Sequence, residues 1–64
     1  MQLQALNHRR ALRTGTVRTV TFEHEHGRSA FTATVLSVTT RTVFLGDATT
    51  LYAEIPLTSI VAVA

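Results

Sequence analysis

The chain has no cysteine, no lysine and no tryptophan, and only one proline, three glycines, three phenylalanines and one tyrosine in 64 residues. Each absence removes a class of answer. Without cysteine there are no disulfides to staple a small fold and no thiolate metal sites. Three scattered glycines cannot build a phosphate-cradling loop. Few aromatics mean that the core is aliphatic and that few rings are free to stack on bases. No apolar run approaches the ~20 residues of a membrane span. No basic-then-apolar leader pattern opens the chain, which makes cytoplasmic the default expectation. Length allows a single domain over residues 1–64, and a domain this small hides only about 60% of its unfolded surface. Such chains gain stability from a partner when disulfides and metals are missing.

What is present is β-branched and basic. Threonine occurs twelve times and valine seven. Both are stiff at χ1 and suit a pleated strand. All six basic residues are arginine, against four acidic residues, for a net charge of +2. The excess is small, so polyanion binding is permitted rather than demanded. Its distribution is uneven: Arg9, Arg10, Arg13 and Arg18 precede the first acidic residue, Glu23, and no basic residue falls in the last seventeen positions.

Residues 2–13 read as a short helix, with Leu3, Leu6, Arg10 and Arg13 along one side and Gly15 as the left-handed residue that ends it. From Thr16 the period changes to two. Val20, Phe22, His24 and His26 share one strand face, and Thr19, Thr21, Glu23 and Glu25 the other. His26-Gly27-Arg28-Ser29 reads as a hairpin turn. A second strand from Ala30 to Val38 switches its apolar parity between Val35 and Leu36, the mark of a sharply bent strand. Thr42–Leu45, Thr49–Ile55 and Ser59–Val63 complete the set. Gly46-Asp47 forms a turn, and Pro56-Leu57-Thr58 forms one turn of tight helix before the last strand. A short helix followed by five strands, with one bent, predicts a mainly β fold: a five-stranded small barrel spanning residues 16–64.

In this layout the chain resembles the Sm-like family of small barrels, which includes the Hfq-type RNA chaperones and shares its barrel class with Src-homology-3-type domains. Val43-Phe44-Leu45-Gly46-Asp47 is similar to the close of the family's first motif. Ile55, Ile60 and Val63 carry the apolar spacing of the second. The base-reading positions hold Thr39, Arg41 and Thr42, and the family's Arg-Gly is replaced by Pro56-Leu57. The resemblance implies a cyclic homo-oligomer of about five to seven subunits, in which the fourth strand of one copy pairs with the fifth of the next. Uncharged strands over 49–63, where Glu54 and Tyr52 are the only ionisable side chains, agree with pairing, since monomers blunt such edges with charge.

Candidate interface residues are Leu51, Tyr52, Ala53, Ile60, Val61 and Val63. Candidate nucleic-acid contacts are Arg41, Thr39 and Thr42 at the pore, and Arg9, Arg10 and Arg13 on the helix, acting through phosphate charge and guanidinium stacking. The expected activity is non-enzymatic RNA or single-stranded nucleic-acid binding. The competing reading is a structural or scaffold ring without nucleic acid, and a third is a monomeric barrel docked on a larger protein. No nucleophile, base and orienting group can be assembled into a catalytic set, so neither a small-molecule substrate nor a cofactor is expected. His24-x-His26 has a spacing used by metal sites but lacks a local third ligand, so no metal is expected either.

Overall fold

The computed structural model describes residues 8–64. Residues 8–11 are helical, and the expected helix over residues 2–7 lies outside the described part. The helix ends earlier than the predicted residue 13. Its closing turn carries an N–H of Leu12 to the Arg9 carbonyl at 3.2 Å, and Leu12 then drops into the core at 4% exposure. The thin Arg10/Arg13 stripe is therefore not the face that anchors this segment; the anchor is Leu12. Gly15 takes φ +90, the left-handed conformation open to glycine without a Cβ clash. Past it the chain runs beside the second strand, with Gly15 N–H on the Val35 carbonyl and Val35 N–H on the Thr16 carbonyl, both at 2.8 Å.

Five antiparallel strands follow: β1 (Val17–His24), β2 (Gly27–Val38), β3 (Thr42–Gly46), β4 (Leu51–Pro56) and β5 (Ile60–Val63). They form one sheet in the order β4-β3-β2-β1-β5. The mainly β expectation holds, and the closed barrel does not form within the chain. Among the described residues each of β4 and β5 has a single neighbour, β3 and β1 respectively. The Leu57–Ser59 turn of 3-10 helix joins them without bringing them into register.

The alternation read from the sequence accounts for the strands, with two local shifts. The β1–β2 hairpin pairs His24 with Gly27, so its loop is Glu25-His26 and not the His26–Ser29 tetrapeptide. Gly27, at φ +123, supplies the sharp exit. His26 thus sits in the turn instead of sharing a strand face with His24. The parity change in β2 is a bulge: its register against β3 slips between Val35 and Ser37. One extra residue there turns Leu36 and Val38 where regular alternation would not, and it bends the strand.

The core is aliphatic, as the shortage of rings requires. Leu12, Val20, Ala33, Val35, Val43, Leu45, Ile55, Leu57 and Ile60 are buried, and Phe22, Phe31, Val38, Ala53 and Val63 pack around them. Burying each Val or Leu side chain contributes roughly 1.5–3 kcal/mol. Gly46 permits a close approach: a Cβ there would lie 2.1 Å from the Thr50 carbonyl oxygen. Its neighbour Asp47 organises the β3–β4 turn, accepting the N–H groups of Thr49 and Thr50 at 2.8 Å each.

Candidate functional site

The predicted arginine cluster on the helix divides between two places. Arg9 reaches the β2–β3 loop, where its Nε–H donates to the Thr39 carbonyl at 3.2 Å. Arg10 and Arg13 turn instead toward the start of β1 and the end of β5. Arg9 and Arg10, adjacent on the helical turn, point to different parts of the sheet, and Arg13, beyond Leu12, comes back to the same place as Arg10.

The β2–β3 loop is built by Thr39. Its hydroxyl oxygen accepts N–H groups from Arg41 at 3.2 Å and Thr42 at 3.0 Å, and the hydroxyl lies 3.3 Å from the Thr42 carbonyl that it donates to. A threonine folded back on its own loop in this way mimics a backbone turn. The loop is tied to the 3-10 turn as well, since Leu57 N–H donates to the Arg41 carbonyl at 2.8 Å. Thr39 is thus committed to loop geometry, Thr42 is half-buried as the first residue of β3, and Arg41 is held by its backbone with an exposed side chain. Of the three pore-loop candidates, Arg41 is the one that presents its side chain outward. Arg9 is brought to the same loop.

The second group is a shallow pocket of about 220 Å³ lined by Arg10, Ala11, Arg13, Arg18, Val63 and Ala64. Arg18 was absent from the sequence-based site. Its inclusion depends on the pairing of β1 with β5 and on Thr19 and Ala64 exchanging backbone hydrogen bonds at 2.9 and 2.8 Å. The only sequence signal was its place in the acid-free run before Glu23. The Arg18 Nε atom is buried and has no hydrogen-bond partner among the described residues. An unmade hydrogen bond of this kind costs roughly 1–3 kcal/mol.

None of these five arginines is neutralised by an ion pair among the described residues. The ion pairs among these residues are Glu23–Arg28 at 3.2 Å and Glu25–His26 at 3.3 Å, both at the hairpin end. The other carboxylates, Asp47 and Glu54, belong to the β3–β4 turn and to β4. Asp47 is engaged by the Tyr52 hydroxyl, and this bond, with the N–H of Thr49 next in weight, holds its pKa at about 2. The same bond pushes the Tyr52 phenol above its ordinary value.

The interface candidates fall into two sets. Leu51 and Tyr52 are about half exposed, at 49% and 52%. Tyr52 packs edge-on to Phe31, with ring centroids 6.2 Å apart. Ala53, Val61 and Val63 are half-buried. Ile60 is a core residue at 3% exposure, so only its backbone is available to another strand. At the hairpin end the His24 and His26 rings lie 6.3 Å apart, His24 Nδ1 accepts the His26 N–H at 3.2 Å, and Nε2 lies 2.7 Å from the Ser29 hydroxyl. No group of three metal-ligating side chains occurs among the described residues. No described helix is long and apolar enough to cross a membrane.

Fold and site together define a small antiparallel β domain with an arginine-rich end and two terminal strands, each paired on one edge only among the described residues. Comparison with protein-family models, with curated proteins and with solved structures finds no match to this chain.

Proposed function

We propose that the chain is a ring-forming protein of the Sm-like kind that binds single-stranded RNA without catalysing a reaction. The observation that carries this reading is the pair of terminal strands. β4 and β5 stand at opposite ends of one open sheet, each with an outer edge unpaired among the described residues, and Glu54 is the one charged side chain between Leu51 and Val63. Exposed, uncharged edges are templates for further pairing. Because the two edges differ, pairing β4 of one copy with β5 of the next is head-to-tail, and head-to-tail contacts close into a ring when the rotation per subunit permits. Ring closure removes both edges and adds the burial that a 64-residue chain lacks.

Arg41 and Arg9, at one loop and free of carboxylates, supply the nucleic-acid contact in this reading. A ring repeats them into a circle of guanidinium groups suited to phosphate and to base faces. Contact is then electrostatic and indifferent to sequence. The second reading, a scaffold ring without nucleic acid, is favoured by Tyr52. Its ring lies against Phe31 and its hydroxyl on Asp47, instead of standing clear as a stacking platform.

The experiment that separates the two is binding of fluorescent oligouridine and oligoadenine over a salt series. RNA binding predicts measurable affinity for both strands, falling steeply with salt. A scaffold ring predicts no binding at any salt concentration.

A further inference from the structure

The Arg10–Arg13–Arg18 pocket is a second basic feature, separate from the Arg41 loop, and it has the construction of a ligand site. Three chain segments converge on it: the helix end through Arg10 and Ala11, the start of β1 through Arg18, and the end of β5 through Val63 and Ala64. The rest of its lining is small and apolar. Among the described residues no side-chain carboxylate forms an ion pair with its arginines, because all four lie elsewhere. Residues 1–7 contain no acidic side chain either. Like charges gathered without a side-chain counter-charge repel one another, and a bound anion relieves that penalty.

The chemistry of the lining selects the anion. Three planar guanidinium groups offer forked donors and three positive charges. A carboxylate would match one of them. A phosphoryl group, with several equivalent oxygens and up to two negative charges, can engage all three. Ala11, Val63 and Ala64 offer no side-chain hydrogen bonds to a base or sugar, so recognition stops at the phosphate. We propose that this pocket binds a single phosphate group, with Arg18 as its anchor and Arg10 and Arg13 closing over it. The site is built within one chain and does not depend on the ring.

The test is a titration of the full chain with sodium phosphate at constant ionic strength, balanced with chloride, following the arginine Nε–H resonances by NMR. Arg18 is expected to shift saturably, while Arg28, held by Glu23 at the hairpin end, stays in place. Arg18→Gln should weaken phosphate binding about tenfold or more, as loss of a charge-assisted hydrogen bond predicts. Arg13→Gln, at an exposed position, gives a second variant should Arg18→Gln fail to fold. Absence of a saturable Arg18 shift overturns the proposal, as does an equal shift at Arg28, which would report general screening. So does unchanged phosphate affinity in a folded Arg18→Gln or Arg13→Gln.

Competition with oligouridine, with and without a 5′-phosphate, then identifies the source. Displacement by the phosphorylated strand alone marks a terminal phosphate, and equal displacement by both marks a backbone phosphodiester. A monomeric chain that still shows the saturable Arg18 shift keeps the pocket and discards the ring, so the two proposals fail separately.

Discussion

The hairpin end and the arginine-rich end of this molecule contain similar side chains arranged to opposite effect. At the hairpin, Glu23 meets Arg28, Glu25 meets His26 and His24 meets Ser29, all exposed at strand ends or in the turn, beyond the last core-facing residues. Charge there is balanced within a few residues and screened by water. At the other end Arg9, Arg10, Arg13, Arg18 and Arg41 form no ion pair among the described residues, yet the segment that carries the first three is fixed by Leu12 in the core, by backbone bonds to Val35 and by the Arg9 side chain on the Thr39 carbonyl. Exposed pairs on a loosely packed tip contribute little to stability or recognition. Unpaired cations on an anchored frame keep their field for a ligand. The difference lies less in composition than in what each segment is fastened to.

Breaking the fastening should have the largest effect. Leu12→Ala removes the side chain that holds the arginine segment in the core and should cost about 2–5 kcal/mol, read as a lowered urea midpoint. A loss under 0.5 kcal/mol, roughly the scale of an ordinary surface substitution, would mean that the segment is held by something other than Leu12. Arg41→Ala keeps the fastening and removes one cation. It should weaken oligouridine binding and reduce the magnitude of the salt slope by about 0.7. An unchanged slope would show that Arg41 does not contact phosphate.

The third prediction concerns Asp47. Its folded pKa of about 2 lies below its ordinary value of 3.8, so the fold favours the carboxylate. The stabilisation is present above pH 3.8 and is lost as pH falls through about 2. Asp47→Asn should flatten acid unfolding in that window while leaving the arginine end unaffected. A wild-type acid limb that survives the substitution unchanged would assign it to other carboxylates. The smallest effect belongs to the hairpin: Arg28→Ala breaks an exposed pair and should change stability by about 0–1 kcal/mol in the same urea assay. A larger loss would erase the contrast between the two ends.

The strands were legible because alternation and punctuation are local. Val20, Ala33, Val35 and Ile55 fall on buried faces as period-two reading requires, Gly15 and Gly27 take positive φ, and Pro56 ends β4 before a single turn. Even the parity break at Leu36 was visible, though its cause, a bulge against β3, needs the partner strand. The hairpin register was misplaced by its glycine, which opens β2 rather than occupying the loop centre. Leu12 was missed because helical spacing from Leu3 and Leu6 passes over it, whereas the helix stops and lets it fall inward. Barrel closure depends on whether two distant strands meet, and no local pattern encodes that. Arg18 was missed as a site residue for the same reason: the end of β5 reaches the helix only in three dimensions.

The unpaired edges of β4 and β5 are the centre of the account, and the mass of the protein in solution tests them most directly. Light scattering on a sizing column, with absorbance at 260 and 280 nm recorded across the peak, should give a single species at about five to seven times the 7.0 kDa chain mass, as a closed head-to-tail ring requires. A monomer of 7.0 kDa at high concentration would contradict the ring and, with it, the circle of Arg41 side chains.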